Sequence, residues 1–169
     1  MIENKSSNNN IRKRINFDEP IADMIERLKS EHRNFETKLQ EVEDAINNSA
    51  KDKDITYATK IIRSMSESIT HHAVEEEARL LRVIMQKAKD ESSESIKIMQ
   101  EHNWVINFLK IDLNKIENRK TLDLEYSSSL KYIEDTKLIN EFISNLREHF
   151  LEEEQIVFPL VLKAENISS

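Results

Sequence analysis

The chain has 169 residues and a formal net charge of −7, and it contains no glycine and no cysteine. The lack of glycine excludes the loops that cradle phosphates or dinucleotides, and the lack of cysteine excludes disulfides, iron–sulfur clusters, thiolate zinc sites and a cysteine nucleophile. A charged fraction of 34% with only two prolines predicts long solvated helices in an all-α fold.

The acidic charge balance also disfavours two classes of partner. Nucleic acids and membrane surfaces are both anionic and attract basic proteins. No apolar run approaches the roughly 20 residues that span a bilayer, and residues 1–20 hold no apolar stretch like that of a secretory signal. We therefore expect no nucleic-acid partner, no membrane partner and a cytoplasmic location.

Along the chain, a polar arm is expected to precede four helices. Residues 1–17 are polar, with a basic cluster at 12–14, and are predicted to be flexible. Each later segment has apolar residues at alternating spacings of three and four. The breaks between segments are predicted at 47–54, 89–95 and 118–129. Because short connections favour antiparallel neighbours, residues 18–164 are predicted to form an up-down-up-down antiparallel four-helix bundle.

The apolar residues predicted to face the core define one seam on each helix. On the first and second helices they are Ile21, Ile25, Leu28, Phe35, Leu39, Val42, Ile46, Ile55, Ala58, Ile62, Met65, Ile69, Leu80 and Val83. On the third and fourth they are Ile96, Met99, Ile106, Leu109, Leu113, Ile116, Ile139, Phe142, Leu146, Ile156 and Leu160, and Pro159 is expected to kink or end the last helix.

Polar residues interrupt every seam. They are His32 on the first helix, His72 and Glu76 on the second, His102 on the third, and His149 and Glu153 on the fourth. Counted from the connections, all six fall at one depth of the predicted bundle. Residues i and i+4 share a helix face with about 6 Å of rise between them, so the histidine and glutamate of each pair can converge on one ion.

Each of these residues has an ordinary explanation when taken singly. A lone buried histidine is usually a hydrogen-bonded core residue, and a lone His-xxx-Glu pair is usually a surface pair. Six such groups buried together without partners would cost about 1–3 kcal/mol each, and cations among them remove that cost. Four histidines and two carboxylates suit two borderline metal ions about 3.5–4 Å apart, and iron, zinc or manganese could each occupy these ligands.

Other polar residues beside the seam allow alternatives. A slip of one residue on the second helix would make His71 and Glu75 the ligands. The match between HAVEEE (72–77) and HFLEEE (149–154) favours His72 and Glu76 and leaves His71 beside the site or bonded to a ligand. Glu31 and Glu101 directly precede histidines and are candidates to orient them, whereas the remaining acidic residues are expected to form a solvated rim.

The two halves of the chain repeat this pattern. EHRNFETKL (31–39) corresponds to EHNWVINFL (101–109), and each half continues with its His-xxx-Glu pair. The doubled pattern resembles the hemerythrin-like (HHE) cation-binding family over about residues 18–164. The resemblance implies an oxo- or hydroxo-bridged centre of two iron ions, with the four histidines as terminal ligands and Glu76 and Glu153 as bridging carboxylates.

The sequence departs from the oxygen-carrying hemerythrins in two places. Ile106 stands where they have a further histidine, and His149 and Glu153 replace their His-xxxx-Asp spacing. These departures imply a more symmetric and open centre, similar to bacterial domains linked to nitric oxide response and iron-centre repair. Members of that repair family usually have a cysteine-containing N-terminal segment, whereas this chain contains no cysteine.

Three functions are therefore in competition. The first is a di-iron protein that binds or reduces a diatomic gas, O2 or NO, in stress sensing, detoxification or iron-centre repair. The second is a reversible oxygen-binding or storage protein. The third is a metal-stabilised interaction module that senses iron or redox state. A ferritin-like oxidase is disfavoured because its motif is richer in carboxylates.

Overall fold

The computed structural model describes residues 14–47, 52–122, 125–126 and 129–167 of the chain. Within these ranges all regular structure is helical and there is no β-strand, which confirms the all-α prediction. Most of the predicted arm, residues 1–13, lies outside the described residues, as do residues 48–51 of the first predicted break. Among the described residues, no helix is both long and apolar enough to cross a membrane.

Four long helical segments make up the described fold. The first segment is α1, Ile21–Asn47. The second consists of α2, Asp52–Glu75, a π-helical turn, Glu76–Leu81, and α3, Arg82–Lys87. A 3₁₀ turn, Lys89–Glu91, leads into the third segment, which consists of α4, Ser92–Asn107, a π-helical turn, Phe108–Asp112, and α5, Leu113–Leu122. The fourth consists of α6, Leu130–Glu152, a π-helical turn, Glu153–Val157, and α7, Phe158–Ala164.

Local sequence accounts for several of the helix boundaries. The first segment begins directly after Pro20, whose carbonyl accepts a 2.9 Å hydrogen bond from the Met24 N–H. The fourth begins after Ser129, whose hydroxyl oxygen accepts a 3.3 Å hydrogen bond from the Tyr132 N–H as an N-cap. Residues 118–122 were expected in a connection but continue the third segment.

The buried apolar side chains form two clusters. The larger contains Phe35 and Phe150, and the smaller contains Phe158. The His32 ring lies between them, with its centroid 4.3 Å from that of Phe150 and 5.7 Å from that of Phe158. The layer of predicted polar residues therefore separates the two parts of the apolar core.

The π-helical turns change which residues face the core. A π turn adds a residue to the helical repeat, so two consecutive apolar residues are buried at each one. The buried pairs are Leu80 and Leu81, Phe108 and Leu109, and Val157 and Phe158. The prediction that Ile156 faces the core is wrong for this reason: Ile156 is 48% exposed, and Val157 is buried instead.

Two further expectations about the seams are corrected. Ile96 and Met99 are exposed, and the buried residues of α4 at this level are Ser95 and Ile98, seven and four positions before His102. That spacing follows the helical repeat, whereas Ile96 and Met99 form a neighbouring stripe. Pro159 does not end the last helix, because it lies in the first turn after the π turn, where its missing N–H is tolerated.

A second group of buried polar residues lies near the start of the fourth segment. The Asp135 carboxylate is 1% exposed. It accepts a 2.6 Å hydrogen bond from the Tyr126 hydroxyl and a 3.1 Å hydrogen bond from Arg119 Nε. Asp135, Tyr126 and Arg119, called the Asp135 cluster below, thus connect the end of the third segment to the fourth.

Candidate metal centre

The six polar residues predicted from the seams converge in the structure. They form two groups, His32, His72, Glu76 and Glu153, and Glu76, His102, His149 and Glu153. Within each group, one ligand atom from every residue lies within 4.8 Å of the others, and each group could hold a metal ion. All six side chains are buried. We call these six residues the His/Glu cluster.

Helical periodicity and the π turns position the carboxylates. His72 and Glu76 are one turn apart, as are His149 and Glu153, so each pair faces the same way. Both glutamates are the first residue of a π-helical turn. π turns are frequent at functional sites, and these two occupy matching places in the two halves of the chain.

The Nε2 atoms of all four histidines point toward the middle of the cluster. His32 Nε2 lies 3.1 Å from His72 Nε2, and His102 Nε2 lies 3.2 Å from Glu76 Oε2. His149 Nε2 lies 2.7 Å from Glu153 Oε1. Two nitrogens bound to one ion at about 2.1 Å and at right angles would lie about 3 Å apart, so the separation in the first pair suits shared coordination.

Several buried polar atoms in the cluster make no hydrogen bond of normal geometry. They are both carboxylate oxygens of Glu76 and of Glu153, Nδ1 of His32 and of His72, and Nε2 of His102. A buried polar atom without a partner costs about 1–3 kcal/mol, and more when it is charged. Because the carboxylate oxygens and the inner nitrogens are electron-pair donors, cations would compensate this cost, and the donor set fits a metal site.

Burial and mutual charges shift the pKa values in the cluster in opposite directions. Burial, reinforced by the His72 charge, lowers the pKa of His32 to about 3. Burial also acts to lower the pKa of His72, but Glu76 and the other carboxylates around it outweigh this effect and raise it to about 10. The pKa of His102 is likewise raised against burial, to about 9, by Glu76 and Glu77.

The two carboxylates of the cluster also differ. Burial, together with the Glu76 charge, raises the pKa of Glu153 well above its ordinary value. Burial acts on Glu76 in the same direction, but the His72 charge and the close contacts with Glu153 and His102 hold its pKa well below the ordinary value. Without metal, protonated His72 and His102 therefore face an ionised Glu76, whereas Glu153 holds its proton more strongly than an ordinary carboxyl group.

Each histidine also has a glutamate at its outer nitrogen, Nδ1. His102 Nδ1 donates to Glu77 at 2.9 Å, and His149 Nδ1 donates to Glu101 at 3.0 Å. Glu31 lies 3.5 Å from His72 Nδ1, and Glu154 lies 3.6 Å from His32 Nδ1. Such carboxylates at metal-binding histidines fix the tautomer that leaves Nε2 free for the ion. Glu31, Glu77, Glu101 and Glu154 are called the outer carboxylates.

The outer carboxylates correct one expectation and add two residues. The carboxylates of Glu31 and Glu101 approach a histidine of the next segment, His72 and His149, and not the histidines that follow them in sequence. Glu77 was not recognised from sequence, and Glu154 was assigned to the solvated rim. The signal available for both was the repeated run of three glutamates at 75–77 and 152–154.

The alternative ligand pair on the second segment lies outside the cluster. His71 contacts Glu75, and Glu75 also pairs with Arg27. His72 and Glu76 are the residues that the structure brings together with the other four. That these six residues bind metal stays a prediction.

A small cavity adjoins the cluster. It measures about 10 Å³ and is lined by His72, His102 and His149 together with apolar side chains. The apolar lining residues are Phe35, Ile69, Ala73, Val105, Ile106, Leu146 and Phe150. Ile106 thus forms part of the cavity wall.

Comparisons of this chain with protein families, with curated proteins and with solved structures found no match.

Proposed function

We propose that this chain is a hemerythrin-like, non-haem di-iron protein that binds or reduces a diatomic gas, nitric oxide or oxygen. Its biological role would be in stress sensing, detoxification or iron-centre repair. The four histidines of the His/Glu cluster would be terminal ligands, and Glu76 and Glu153 would bridge the two ions. The observation that carries the proposal is the apolar cavity against His72, His102 and His149.

The size and lining of the cavity favour a diatomic ligand over a larger substrate. A volume of about 10 Å³ is close to the smallest space that holds a single water molecule. Larger substrates are usually oriented by several polar groups in a pocket of some hundreds of Å³. Here the only polar side chains in the wall are the three histidines.

The residues present fit iron, and each has a definable task. Imidazole and carboxylate are suitable ligands for iron, which would supply one-electron redox chemistry and open coordination positions. Glu77 and Glu101 would hold His102 and His149 with Nε2 toward the ions. The apolar side chains around the cavity would limit the access of water.

We also propose that the four segments form an up-down-up-down antiparallel bundle. Contacts between the first and second segments support it, because Arg27 pairs with Glu75 whereas Lys38, further along, lies 3.5 Å from Ser64. The third and fourth segments behave similarly: Lys97 pairs with Glu152, and Arg119 pairs with Asp135. In each case one residue number rises as the other falls.

The proposal is tested by metal analysis and gas binding, with a matched pair of histidine variants. Protein loaded with Fe²⁺ should hold about two irons per chain, and nitric oxide added anaerobically should change its optical spectrum. His72→Ala should lose iron and the nitric oxide response. His71→Ala should keep both, because His71 lies outside the cluster.

Other outcomes would contradict the proposal or redirect it. Binding of zinc alone, or no metal in a folded protein, would overturn the di-iron centre and favour the interaction module. A di-iron protein whose spectrum does not respond to nitric oxide but changes reversibly with oxygen would favour the oxygen-storage alternative.

A further inference from the structure

The surroundings of the His/Glu cluster follow the internal repeat. With residues 31–39 aligned to 101–109 and 72–77 aligned to 149–154, Arg27 corresponds to Lys97, Glu31 to Glu101 and Glu75 to Glu152. The ion pair between Arg27 and Glu75 has its counterpart in the pair between Lys97 and Glu152. The two halves can therefore be compared position by position.

The halves differ in how well the histidines are held at their outer nitrogens. In the half formed by His102 and His149, both Nδ1 atoms donate hydrogen bonds to carboxylates, at 2.9 and 3.0 Å. In the half formed by His32 and His72, neither Nδ1 atom has a hydrogen-bond partner, and the nearest carboxylate oxygens lie 3.6 and 3.5 Å away.

The arginine in place of lysine accounts for part of this difference. Arg27 donates to Glu31 Oε2 at 2.8 Å and to Glu19 at 2.8 Å, and it also pairs with Glu75. Its planar group thus binds several carboxylates at once, as arginine does and lysine does not. Lys97 pairs with Glu152, which leaves Glu101 to bond His149.

We infer that the centre holds its two metal ions unequally, tightly between His102 and His149 and weakly between His32 and His72, because Arg27 draws Glu31 away from His72. The inference rests on the proposed function. An outer carboxylate orients a ligand histidine and raises its basicity, and losing one typically costs 10- to 100-fold in metal affinity. The His32–His72 half is then the one that exchanges its ion.

A titration of metal-free protein with Co²⁺, a spectroscopic substitute for iron, tests the inference directly. The absorption of bound Co²⁺ should develop in two steps whose affinities differ at least about tenfold. In crystals grown with one equivalent of Co²⁺, anomalous scattering should place the ion beside His102 and His149. Ions beside His32 and His72, or equal occupancy of both halves, would overturn the inference.

Matched variants identify the cause. Arg27→Lys copies the arrangement of the other half and should tighten the weaker step about tenfold, because Glu31 becomes free to bond His72. Glu101→Gln should weaken the tighter step by 10- to 100-fold, whereas Glu31→Gln should change the weaker step by less. Arg82→Lys, at an exposed position, controls for the substitution itself and should change neither step.

The outcomes separate this inference from the proposed function. Two equal affinities would overturn the unequal centre, and an Arg27→Lys protein whose weaker step is unchanged would overturn the role given to Arg27; both results leave a two-metal site in place. Failure of the folded wild-type protein to bind Co²⁺ at all would instead overturn the metal centre. The wild-type titration and Arg27→Lys decide the question even if Glu101→Gln fails to fold.

Discussion

The Asp135 cluster and the His/Glu cluster are both buried and polar, yet they differ in how their atoms are paired. Asp135, at 1% exposure, has its carboxylate bonded by Arg119 and by the Tyr126 hydroxyl. Glu76 is also 1% exposed and Glu153 is fully buried, but neither makes a hydrogen bond of normal geometry. Burial alone therefore does not distinguish the two regions.

The difference separates a structural group from a candidate binding site. A buried polar group paired within the protein stabilises the fold and needs nothing further. Buried donor atoms that converge without such partners lower stability until a ligand compensates them. On this reasoning the Asp135 cluster holds two segments together, whereas the unpaired atoms of the His/Glu cluster lower the stability of the chain and could be compensated by metal ions.

The largest expected effect on stability comes from disrupting the Asp135 cluster. Asp135→Ala leaves the buried Tyr126 hydroxyl without a partner and removes the ion pair with Arg119. We expect the free energy of unfolding to fall by about 3 kcal/mol. Urea denaturation of metal-free protein measures this change, and Co²⁺ stoichiometry should stay at the wild-type value.

Glu134→Ala is the matched control for that substitution. Glu134 is the neighbouring residue, and its ion pair with Lys131 is exposed. Removing an exposed pair should change the free energy of unfolding by less than about 0.5 kcal/mol. Similar losses in the two variants would contradict a special role for Asp135.

A smaller effect on stability, of opposite sign, is expected from a substitution in the His/Glu cluster. Glu153→Met replaces a fully buried carboxyl group with an apolar side chain of similar size. Because such replacements are often neutral or stabilising, the free energy of unfolding of metal-free protein should rise by about 1 kcal/mol. The same variant should bind fewer metal ions. This result would show that the Glu153 carboxyl group lowers the stability of the metal-free protein and contributes to metal binding.

Asp135→Leu tests the difference between the two clusters. Like Glu153→Met, it replaces a buried carboxyl group with an apolar side chain, but in the Asp135 cluster. It should lower the free energy of unfolding, for the reason given for Asp135→Ala. If Glu153→Met also lost several kcal/mol, the two regions would not differ in the way proposed.

The residues of the His/Glu cluster could be predicted because spacing and repetition carry the necessary signal. His32 and His102 continue an i, i+3, i+4 pattern, and each His-xxx-Glu pair needs only one helix to bring its members together. The repeat then favoured His72 over His71. These steps use only the spacing along each helix and the repeat, whereas placing the six residues at one depth also relied on the predicted antiparallel order of the helices.

The rest of the site depends on packing between segments, which a local pattern does not contain. The π turn beginning at Glu153 moves the buried position from Ile156 to Val157. Similarly, Glu31 and Glu101 are adjacent in sequence to one histidine but contact another, on the next segment. A contact across segments follows from the tertiary fold, so sequence neighbourhood indicated the wrong partner.

Of the two clusters, only the His/Glu cluster should change its metal affinity with pH near neutrality. Within the His/Glu cluster, burial acts to lower the pKa of His72 and of His102, but the surrounding carboxylates outweigh it and raise these pKa values to about 10 and about 9. Both carry protons at pH 7 in metal-free protein, and both must lose them to bind an ion through Nε2. Raising the pH removes competing protons, so Co²⁺ affinity should increase at least tenfold per unit from about pH 6 to 8. Proton release, followed with an indicator dye in weakly buffered solution, should accompany binding.

Asp135→Asn should show the same pH slope, because the Asp135 cluster contains no histidine. An affinity independent of pH would mean that His72 and His102 are not protonated before the ion binds.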